Sequence, residues 1–398
     1  MIGLASKEHC TACGACAFVC PKHCISMQVD KFGRMYPVMD DADCISCKRC
    51  QKVCPILSPL DYHRPQKAFA AWSSNEEERR TSASGGVAAE VYREALREGY
   101  HIAGAEQNDD FSVTLQVADA QEAICSFKNS KYVFSSAYTL FPRIKELLNN
   151  GEKVVVIGLP CQIAALRRIF RDNDNILLVD VVCHGTTPHD NLMQHIRAVE
   201  KEFGQKAVRM SFRDPDTYTY TYTYTFTLYN AEGKRFYAKR TKDGDAYQFG
   251  YHRTVTYREN CYHCHFARDK RISDVTLSDY KGLGKMAPCS FDATKVSSVL
   301  VNTAKGEAFI KKLIENKRII AEERPIREPI EGDLQLRQPS QKKPARYDFE
   351  RLIVENNNDF EKTMKVVMKC QYRREQIKTM TRFPMRVLAK IKRIILEK

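Results

Sequence analysis

The stretch "HCTACGACAFVCPKHC" spans residues 9–24 and places five cysteines within sixteen residues. The first four follow the spacing C-x2-C-x2-C-x3-C and precede a proline: Cys10, Cys13, Cys16 and Cys20. A second copy of this spacing lies 34 residues further along the chain, at Cys44, Cys47, Cys50 and Cys54. Because every cysteine is displaced by the same amount, the pattern indicates an internal duplication.

This spacing is typical of the cysteine runs that bind 4Fe-4S clusters in bacterial ferredoxins. In such runs the first three cysteines surround one cluster, and the fourth ligates the other cluster. We therefore predict a two-cluster ferredoxin domain at residues 1–58, with crossed ligands. The first cysteine set is Cys10, Cys13, Cys16 and Cys54, and the second cysteine set is Cys44, Cys47, Cys50 and Cys20.

Two other uses of cysteine fit this pattern less well. Structural zinc sites typically use two separated pairs of ligands, and disulfide scaffolds occur in small secreted chains. Cys24 belongs to neither set and precedes a short strand-like alternation, so we interpret it as a small buried apolar residue.

The composition is that of a globular protein. Of its 398 residues 43% are hydrophobic, which leaves room for two or three domains with a large core. No apolar run approaches the roughly 18 residues of a membrane span, and residues 1–10 lack the apolar core of a secretory signal. These features predict a cytoplasmic protein, in which sixteen cysteines indicate metal binding rather than cross-links.

The net charge of +14 lies mostly in residues 362–398, where twelve Lys and Arg accompany two Glu. The rest of the chain carries only about +4, so no specific nucleic-acid partner is expected. The tail also has an apolar helical face: Val387, Leu388, Ile391, Ile394 and Ile395. Such a basic helix either lies on an anionic membrane surface or packs on the protein body, and the sequence leaves both open.

Between the ferredoxin domain and the basic helical tail we predict a larger mixed α/β, flavoprotein-like domain, which makes the chain α+β. "KAFAAWSS" (67–74) has a strand pattern, and "SASGGVAAEVYREALREG" (82–99) predicts a helix. Residues 151–185 predict a strand, a sharp turn, a helix and a buried strand, which form a parallel βαβ unit. The Thr-Tyr alternation of residues 217–226 predicts a strand in an antiparallel hairpin closed by residues 230–234.

A third group of four cysteines is spread over this larger domain. Cys161 and Cys183 each follow a strand of the βαβ unit, at the sheet edge where open α/β sheets bind ligands. Cys261 and Cys264 form an isolated C-x2-C, for which zinc bound with a neighbouring histidine, His263 or His265, is an alternative. We predict that these four cysteines, the third cysteine set, hold a third 4Fe-4S cluster.

Several segments in a fixed order resemble the coenzyme F420 hydrogenase/dehydrogenase beta-subunit family over residues 1–370. Besides the ferredoxin repeats they are "SASGGV", "SKYVFSS", "GLPCQIAAL", "VVCHG", "SFRD", "CYHCHFA", "SDVTLSDYKG" and "SSVLVNTAKGE". The resemblance implies flavin adenine dinucleotide (FAD) beside Fe-S clusters, and electron exchange between one-electron carriers and a hydride-accepting cofactor or substrate. It also implies that the third cysteine set is a cluster site.

The resemblance implies five flavin-binding residues: Ser84, Gly85, Gly86, Lys131 and Tyr132. Glycines at a helix N-terminus suit a phosphate-bearing ligand, although the same pair is common as an ordinary helix cap. At two places near these residues the sequence differs from the motifs that are usual in the family. "SDYKG" (278–282) replaces the usual Gly-Asp-Phe-Trp-Gly, and Leu159 replaces the threonine of Gly-Thr-Pro-Cys. The lysine at the tryptophan position leaves the substrate open.

Together these observations predict an iron-sulfur flavoprotein oxidoreductase. It would relay electrons from a redox partner such as a ferredoxin to a flavin that exchanges hydride with a small-molecule substrate. The alternative is a non-enzymatic electron-carrier or adaptor subunit of a larger oxidoreductase complex. We predict that residues 65–150 and 151–325 are the two parts of the beta-subunit domain, and that residues 326–398 are a closing segment with the basic tail.

Overall fold

The computed structural model describes residues 3–171, 173–214 and 224–396, with side chains described as far as residue 380. Its strands are β1 (Ile25–Val29), β2 (Met35–Met39), β3 (Lys67–Ser73), β4 (Tyr100–Gln107), β5 (Val113–Ala118), β6 (Ser135–Ser136), β7 (Lys153–Gly158), β8 (Ile176–Val181), β9 (Arg209–Ser211), β10 (Thr225–Tyr229), β11 (Arg235–Arg240), β12 (Val275–Asp279), β13 (Ser297–Val301) and β14 (Ile319–Arg324).

Its helices are α1 (Ala15–Phe18), α2 (Arg49–Val53), α3 (Glu76–Thr81), α4 (Val87–Arg97), α5 (Ala123–Phe127), α6 (Leu140–Asn149), α7 (Pro160–Ile169), α8 (His189–Phe203), α9 (Ala246–His252), α10 (Glu259–Tyr262), α11 (Ala304–Glu315), α12 (Arg327–Gly332), α13 (Pro344–Glu355) and α14 (Phe360–Leu396). Short 3-10 turns lie at Thr241–Asp243 and Leu334–Leu336.

The N-terminal unit contains an antiparallel hairpin, β1–β2, and the two short helices α1 and α2. The duplication seen in the sequence is also present in the backbone. Ala12 and Ser46, which are equivalent in the two copies, have φ values of 55° and 54°. Gly14 and Lys48, also equivalent, have left-handed conformations and begin α1 and α2. The two cysteine loops therefore follow the same path.

The main sheet has nine strands among the described residues, in the order β14-β3-β13-β12-β8-β7-β4-β5-β6. The four central strands β12, β8, β7 and β4 are parallel neighbours, whereas β13, β3 and β14 pair antiparallel beyond β12. The predicted βαβ unit is β7-α7-β8, with Val154 opposite Ile176 and Gly158 opposite Asp180. Because the central strands are parallel, their carboxyl ends lie at one edge of the sheet.

Helices cover both faces of this sheet. One face packs against α4 and α11, where Val87, Val91 and Leu313 are buried. The other face packs against α6 and α7. Ala15 and Val53 of the N-terminal unit join this second apolar cluster. The ferredoxin-like unit therefore lies on the α6–α7 side, close to the edge where the parallel strands end.

A smaller sheet, β11-β10-β9, packs with α8, α9, α13 and α14 around a separate apolar cluster. The hairpin predicted around residues 230–234 is present, with Thr225 opposite Arg240. The earlier part of the Thr-Tyr alternation, residues 217–223, lies outside the described residues. The predicted apolar face of the tail, residues 387–395, also lies outside the described side chains. Within the described chain, no helix has the length and apolarity needed to cross a membrane.

Candidate functional site

The structure brings the cysteines of the ferredoxin-like unit together in two groups. The first cysteine set lines one small cavity, to which the second copy contributes Cys54. The second cysteine set lines a neighbouring cavity, to which the first copy contributes Cys20. Cys50 lines both cavities. The placement of Cys20 and Cys54 is the one that the crossed ligand assignment requires.

Cys24 adds a fifth thiol to the cavity of the second set. Its side chain is 8% exposed, in keeping with a small buried residue. Its Sγ lies 3.4 Å from Sγ of Cys20, a proximity that the spacing of the motif did not suggest.

The third cysteine set lines a single cavity between the N-terminal unit and the sheet edge. Cys161 lies in the first turn of α7, Cys183 follows β8, Cys261 lies in α10, and Cys264 follows α10. Cys13 of the first set lines the same cavity. Four cysteines separated by up to 103 positions in the sequence are thus brought together by the sheet edge and one loop.

The turn before α7 is held without the hydroxyl that the family's usual sequence has there. The Leu159 amide donates to Oε1 of Gln162 at 2.8 Å. The Gln162 side-chain amide donates in turn to the Ser135 carbonyl at 3.0 Å. Gln162 thus caps the start of α7, the helix that contains Cys161, without a hydroxyl at position 159.

The four thiols of the third set need a nearby cation if they are to be thiolates. Burial raises the pKa of Cys161 and Cys183 well above the ordinary thiol value, and the neighbouring thiolates raise it further. Burial likewise raises the pKa of Cys264 to about 11. Thiols whose pKa is raised in this way form thiolates readily only beside a cation, and the irons of a bound cluster would supply that charge. The donor set therefore fits a 4Fe-4S cluster.

The geometry fits a zinc ion less well. Across the described residues, no three His, Cys, Asp or Glu side chains converge closely enough to hold one metal ion. Zinc lies about 2.3 Å from each thiolate, so its ligands must nearly touch, whereas thiolates around four irons are farther apart. His263 lies 3.6 Å from Glu259, which gives it a partner other than a metal.

A larger cleft opens on the other side of Cys183 and encloses about 1550 Å³ of space, part of it open to solvent. Four of the five predicted flavin-binding residues line it: Ser84, Gly86, Lys131 and Tyr132. The cleft therefore brings Ser84 and Gly86 together with Lys131 and Tyr132 on one side of Cys183.

Gly86 is the N-cap of α4, with a φ of 84°, and the first residues of α4 line the cleft. The helix N-terminus thus points its unpaired amides and its positive dipole end toward this space. Gly85 has a different place. Its amide donates to Oγ of Ser297 at 3.0 Å, and a Cβ there would lie 2.5 Å from the Ala71 carbonyl. Gly85 permits close backbone packing beneath the cleft rather than lining it.

Lys131 and Tyr132 line the cleft in different ways. The Lys131 ammonium donates to the Ser126 carbonyl at 2.8 Å and to the Lys128 carbonyl at 3.1 Å, at the C-terminal end of α5. Burial lowers the pKa of Lys131 to about 8. Tyr132 stacks on Tyr251 with ring centres 4.4 Å apart. This aromatic pair gives the cleft a flat wall.

The cleft also contains a polar cluster that the sequence motifs did not predict. Lys281 Nζ lies 3.1 Å from Nε2 of His184 and 3.1 Å from Oδ2 of Asp333. Burial and then the Lys281 charge lower the pKa of His184 to about 4, so its imidazole is neutral near pH 7. The departure at position 281 was the signal in the sequence, but Asp333 gave none.

The cavities of the three cysteine sets and the cleft lie in a row, and each neighbouring pair shares a residue in its walls. Cys50 lies between the second and first sets, and Cys13 between the first and third sets. Cys183 lines both the third-set cavity and the cleft. The order is second set, first set, third set, cleft.

Comparison with known proteins identifies two regions of the chain. Residues 151–326 match the family described as the C terminus of the beta subunit of coenzyme F420 hydrogenase/dehydrogenase. Residues 9–56 match the 4Fe-4S dicluster domain, which supports the 4Fe-4S clusters of the ferredoxin-like unit.

Two relatives match the chain over most of their own length. The F subunit of the F(420)H(2) dehydrogenase of Methanosarcina mazei is 21% identical over 274 residues, covering 64% of this chain and 71% of that protein. The beta subunit of the coenzyme F420 hydrogenase of Methanococcus voltae is 24% identical over 259 residues, covering 62% of this chain and 81% of that protein.

A solved structure of the F420-reducing NiFe hydrogenase complex from Methanosarcina barkeri, a xenon derivative, contains a chain that is 19% identical, with a TM-score of 0.43. The match covers 78% of this chain and 94% of that one. The chain therefore carries the C-terminal domain of the coenzyme F420 hydrogenase/dehydrogenase beta-subunit family at residues 151–326 and a 4Fe-4S dicluster domain at residues 9–56.

Proposed function

We propose that the chain is an iron-sulfur flavoprotein that relays electrons from a redox partner protein to a flavin in the cleft, where a small-molecule substrate or cofactor exchanges hydride. The observation that carries this proposal is the unbroken order of cavities, in which Cys50, Cys13 and Cys183 are each shared by two neighbouring sites. Bound 4Fe-4S clusters carry single electrons, and a bound flavin pairs them for hydride exchange.

In this proposal each cysteine set holds one 4Fe-4S cluster. The second set lies at the outer end, and its Cys47 is exposed, so this end is where a ferredoxin-like partner would dock. The third set lies at the inner end, where Cys261 is buried and Cys161 and Cys183 are part-buried. In this proposal the second cysteine set therefore faces the redox partner, and the third cysteine set faces the cleft.

The cleft residues have separate roles. The N-terminus of α4, beginning after Gly86, offers amides and a positive dipole end to the phosphates of FAD. The Tyr132–Tyr251 pair supplies an aromatic wall. Lys281 holds a positive charge near Cys183, kept in place by His184 and Asp333. We propose that Lys281 binds an anionic group of the flavin or of the substrate.

The relatives are named as subunits of F420 dehydrogenase and hydrogenase. We therefore propose that this chain also works with a protein partner in an oxidoreductase complex. The same names support the second candidate, a flavin-free electron-carrier subunit, because a subunit of a complex need not hold the catalytic cofactor itself.

Acid extraction of the anaerobically purified full chain distinguishes the two candidates. Release of about one FAD per chain is the result expected for the flavoprotein. Iron without flavin would contradict the flavoprotein and leave the carrier subunit. Metabolite screening with chemically reduced ferredoxin then identifies the substrate through loss of the reduced donor.

The basic tail, residues 362–398, is proposed as a peripheral membrane contact. Flotation of the full chain with anionic liposomes, compared with a chain truncated after Asp359, tests this contact. Equal partitioning of both chains would contradict it.

A further inference from the structure

Three arginines are among the largest fully buried side chains of the described residues: Arg258, Arg271 and Arg346. Arg271 donates to Asp180 at 2.7 Å, and Arg346 pairs with Glu259 at 3.2 Å. Arg258 is 1% exposed, and within the described part of the chain it forms no ion pair. A buried charge without a counter-charge is strongly unfavourable. Arg258 therefore differs from the other two.

The contacts of Arg258 leave one side of its guanidinium open. Nη2 donates to the Met35 carbonyl at 3.0 Å, and Nε donates to Oδ1 of Asn260 at 3.3 Å. The guanidinium carbon lies 5.2 Å from the centre of the Tyr36 ring and 4.5 Å from that of Phe134. Among the described residues, Nη1 is buried and has no hydrogen-bond partner. The aromatic faces offset part of the charge, but Nη1 still lacks an acceptor.

Arg258 lies at the junction of the N-terminal unit and the main body. It is the N-cap residue of α10, the helix that contains Cys261, and it reaches across to β2 through Met35. Phe134 and Asn260, which contact the guanidinium, line the cavity of the third set, and Pro37, next to Tyr36 in β2, lines that of the first set. The guanidinium therefore lies against the walls of both cavities.

We propose that the guanidinium of Arg258 is a counter-charge shared by the first and third cysteine sets. Arg258 is a positioning residue in this role, because its positive charge stabilises the negative charge that an electron adds at either set. This inference rests on the proposed function, in which both sets hold 4Fe-4S clusters. An electron that arrives adds one negative charge, and no bond forms or breaks. The electron comes from the reduced redox partner, which is oxidised by the same amount.

The test uses the full chain with its cofactors and compares three variants. Arg258→Gln removes the charge, Arg258→Lys keeps it, and Arg268→Gln removes an exposed arginine that lies over the Tyr62 ring, four residues after Cys264. The measurements are iron content and a potentiometric titration followed by electron paramagnetic resonance. Neither readout depends on the substrate.

We expect Arg258→Gln to retain its iron and to lower the reduced fraction of two clusters at a fixed potential. A tenfold change in the ratio of reduced to oxidised cluster corresponds to about 59 mV for one electron. We expect Arg258→Lys and Arg268→Gln to titrate like the unmodified protein. Unchanged potentials in Arg258→Gln would overturn the inference.

If Arg258→Gln loses iron, Arg258→Lys decides the question. If the clusters of Arg258→Lys have the same potentials as those of the unmodified protein, the result supports the role of the charge at position 258. A tenfold change in the ratio of reduced to oxidised cluster in Arg258→Lys, which keeps the charge, overturns the inference. Failure of the proposed function has a different signature, because an unmodified chain with two clusters would contain about eight irons instead of about twelve.

Discussion

Arg271 Nη2 donates to Oδ2 of Asp180 at 2.7 Å, and neither side chain is more than 2% exposed. The same guanidinium donates to the main-chain oxygen of Phe266 at 3.0 Å. Because Asp180 lies in β8 and Phe266 follows Cys264, this pair ties the loop of the third cysteine set to the strand that precedes Cys183. The position of the set therefore depends on one buried ion pair.

Replacing Asp180 by Asn leaves the Arg271 charge buried and unpaired. Loss of one partner of a buried ion pair costs about 3–5 kcal/mol. We expect the Asp180→Asn variant to unfold at a lower temperature and to lose iron from the third set. Asp174→Asn is the control, because Asp174 is fully exposed and 3.7 Å from Lys305. Equal stability and iron content in the two variants would refute this role of the pair.

The N-terminus of α4 can be tested through its glycine cap. Gly86 has a φ of 84°, and an added Cβ would lie 3.2 Å from Cβ of Ser73. A side chain in this conformation costs about 1–2 kcal/mol, so Gly86→Ala should shift the turn that faces the cleft. We expect less flavin per chain, with iron unchanged.

Gly99 provides a matched control beyond the other end of α4. Its φ is 74°, and nothing lies within 4 Å of an added Cβ. Gly99→Ala therefore has a similar backbone cost but is remote from the cleft. If both variants release the same amount of flavin as the unmodified chain, the α4 N-terminus is not a phosphate site.

A buried histidine connects α8 to the start of α14. His195 Nε2 lies 3.0 Å from Asp245, which also accepts from Tyr237, and Nδ1 lies 2.7 Å from Glu361. Burial disfavours the imidazolium, but Asp245 and Glu361 outweigh it and raise the pKa of His195 to about 10. The protonated histidine is therefore a structural cation that holds α14 against the smaller sheet.

The sign of the pH dependence follows from this shift. The folded pKa is higher than the ordinary value of about 6.5, so the stabilisation is complete below that pH and is lost as pH rises toward 10. We expect the thermal midpoint of the unmodified chain to fall between pH 7 and pH 10, and that of His195→Gln to fall less. Parallel pH profiles would contradict a charged His195.

Local patterns in the sequence predicted much of the fold. Strand β3, helix α4, the hairpin β10–β11 and the unit β7-α7-β8 were all predicted, because periodicity and turn residues act over short distances. The order of the main sheet could not be predicted. Strands β3 and β14 join it beyond β13 through connections of many residues, and such pairings leave no local signal.

The same distinction holds at the site. Motif spacing predicted the grouping of the eight cysteines in residues 10–54, and the expected sheet edge placed Cys161 near Cys183, which line one cavity in the structure. The contact of Lys281 with Asp333 and the contact of Arg258 with Met35 were not predicted. These contacts join residues 52 and 223 positions apart, and they depend on packing between elements.

The central claim is that the third cysteine set holds a cluster between the ferredoxin-like unit and the cleft. Its most direct test is the iron content of anaerobically purified full chain, with Cys183→Ser as the variant and the exposed Cys125→Ser as the control. We predict about twelve irons per chain in the unmodified protein and the control, and about eight in Cys183→Ser. About eight irons in all three proteins would contradict the claim.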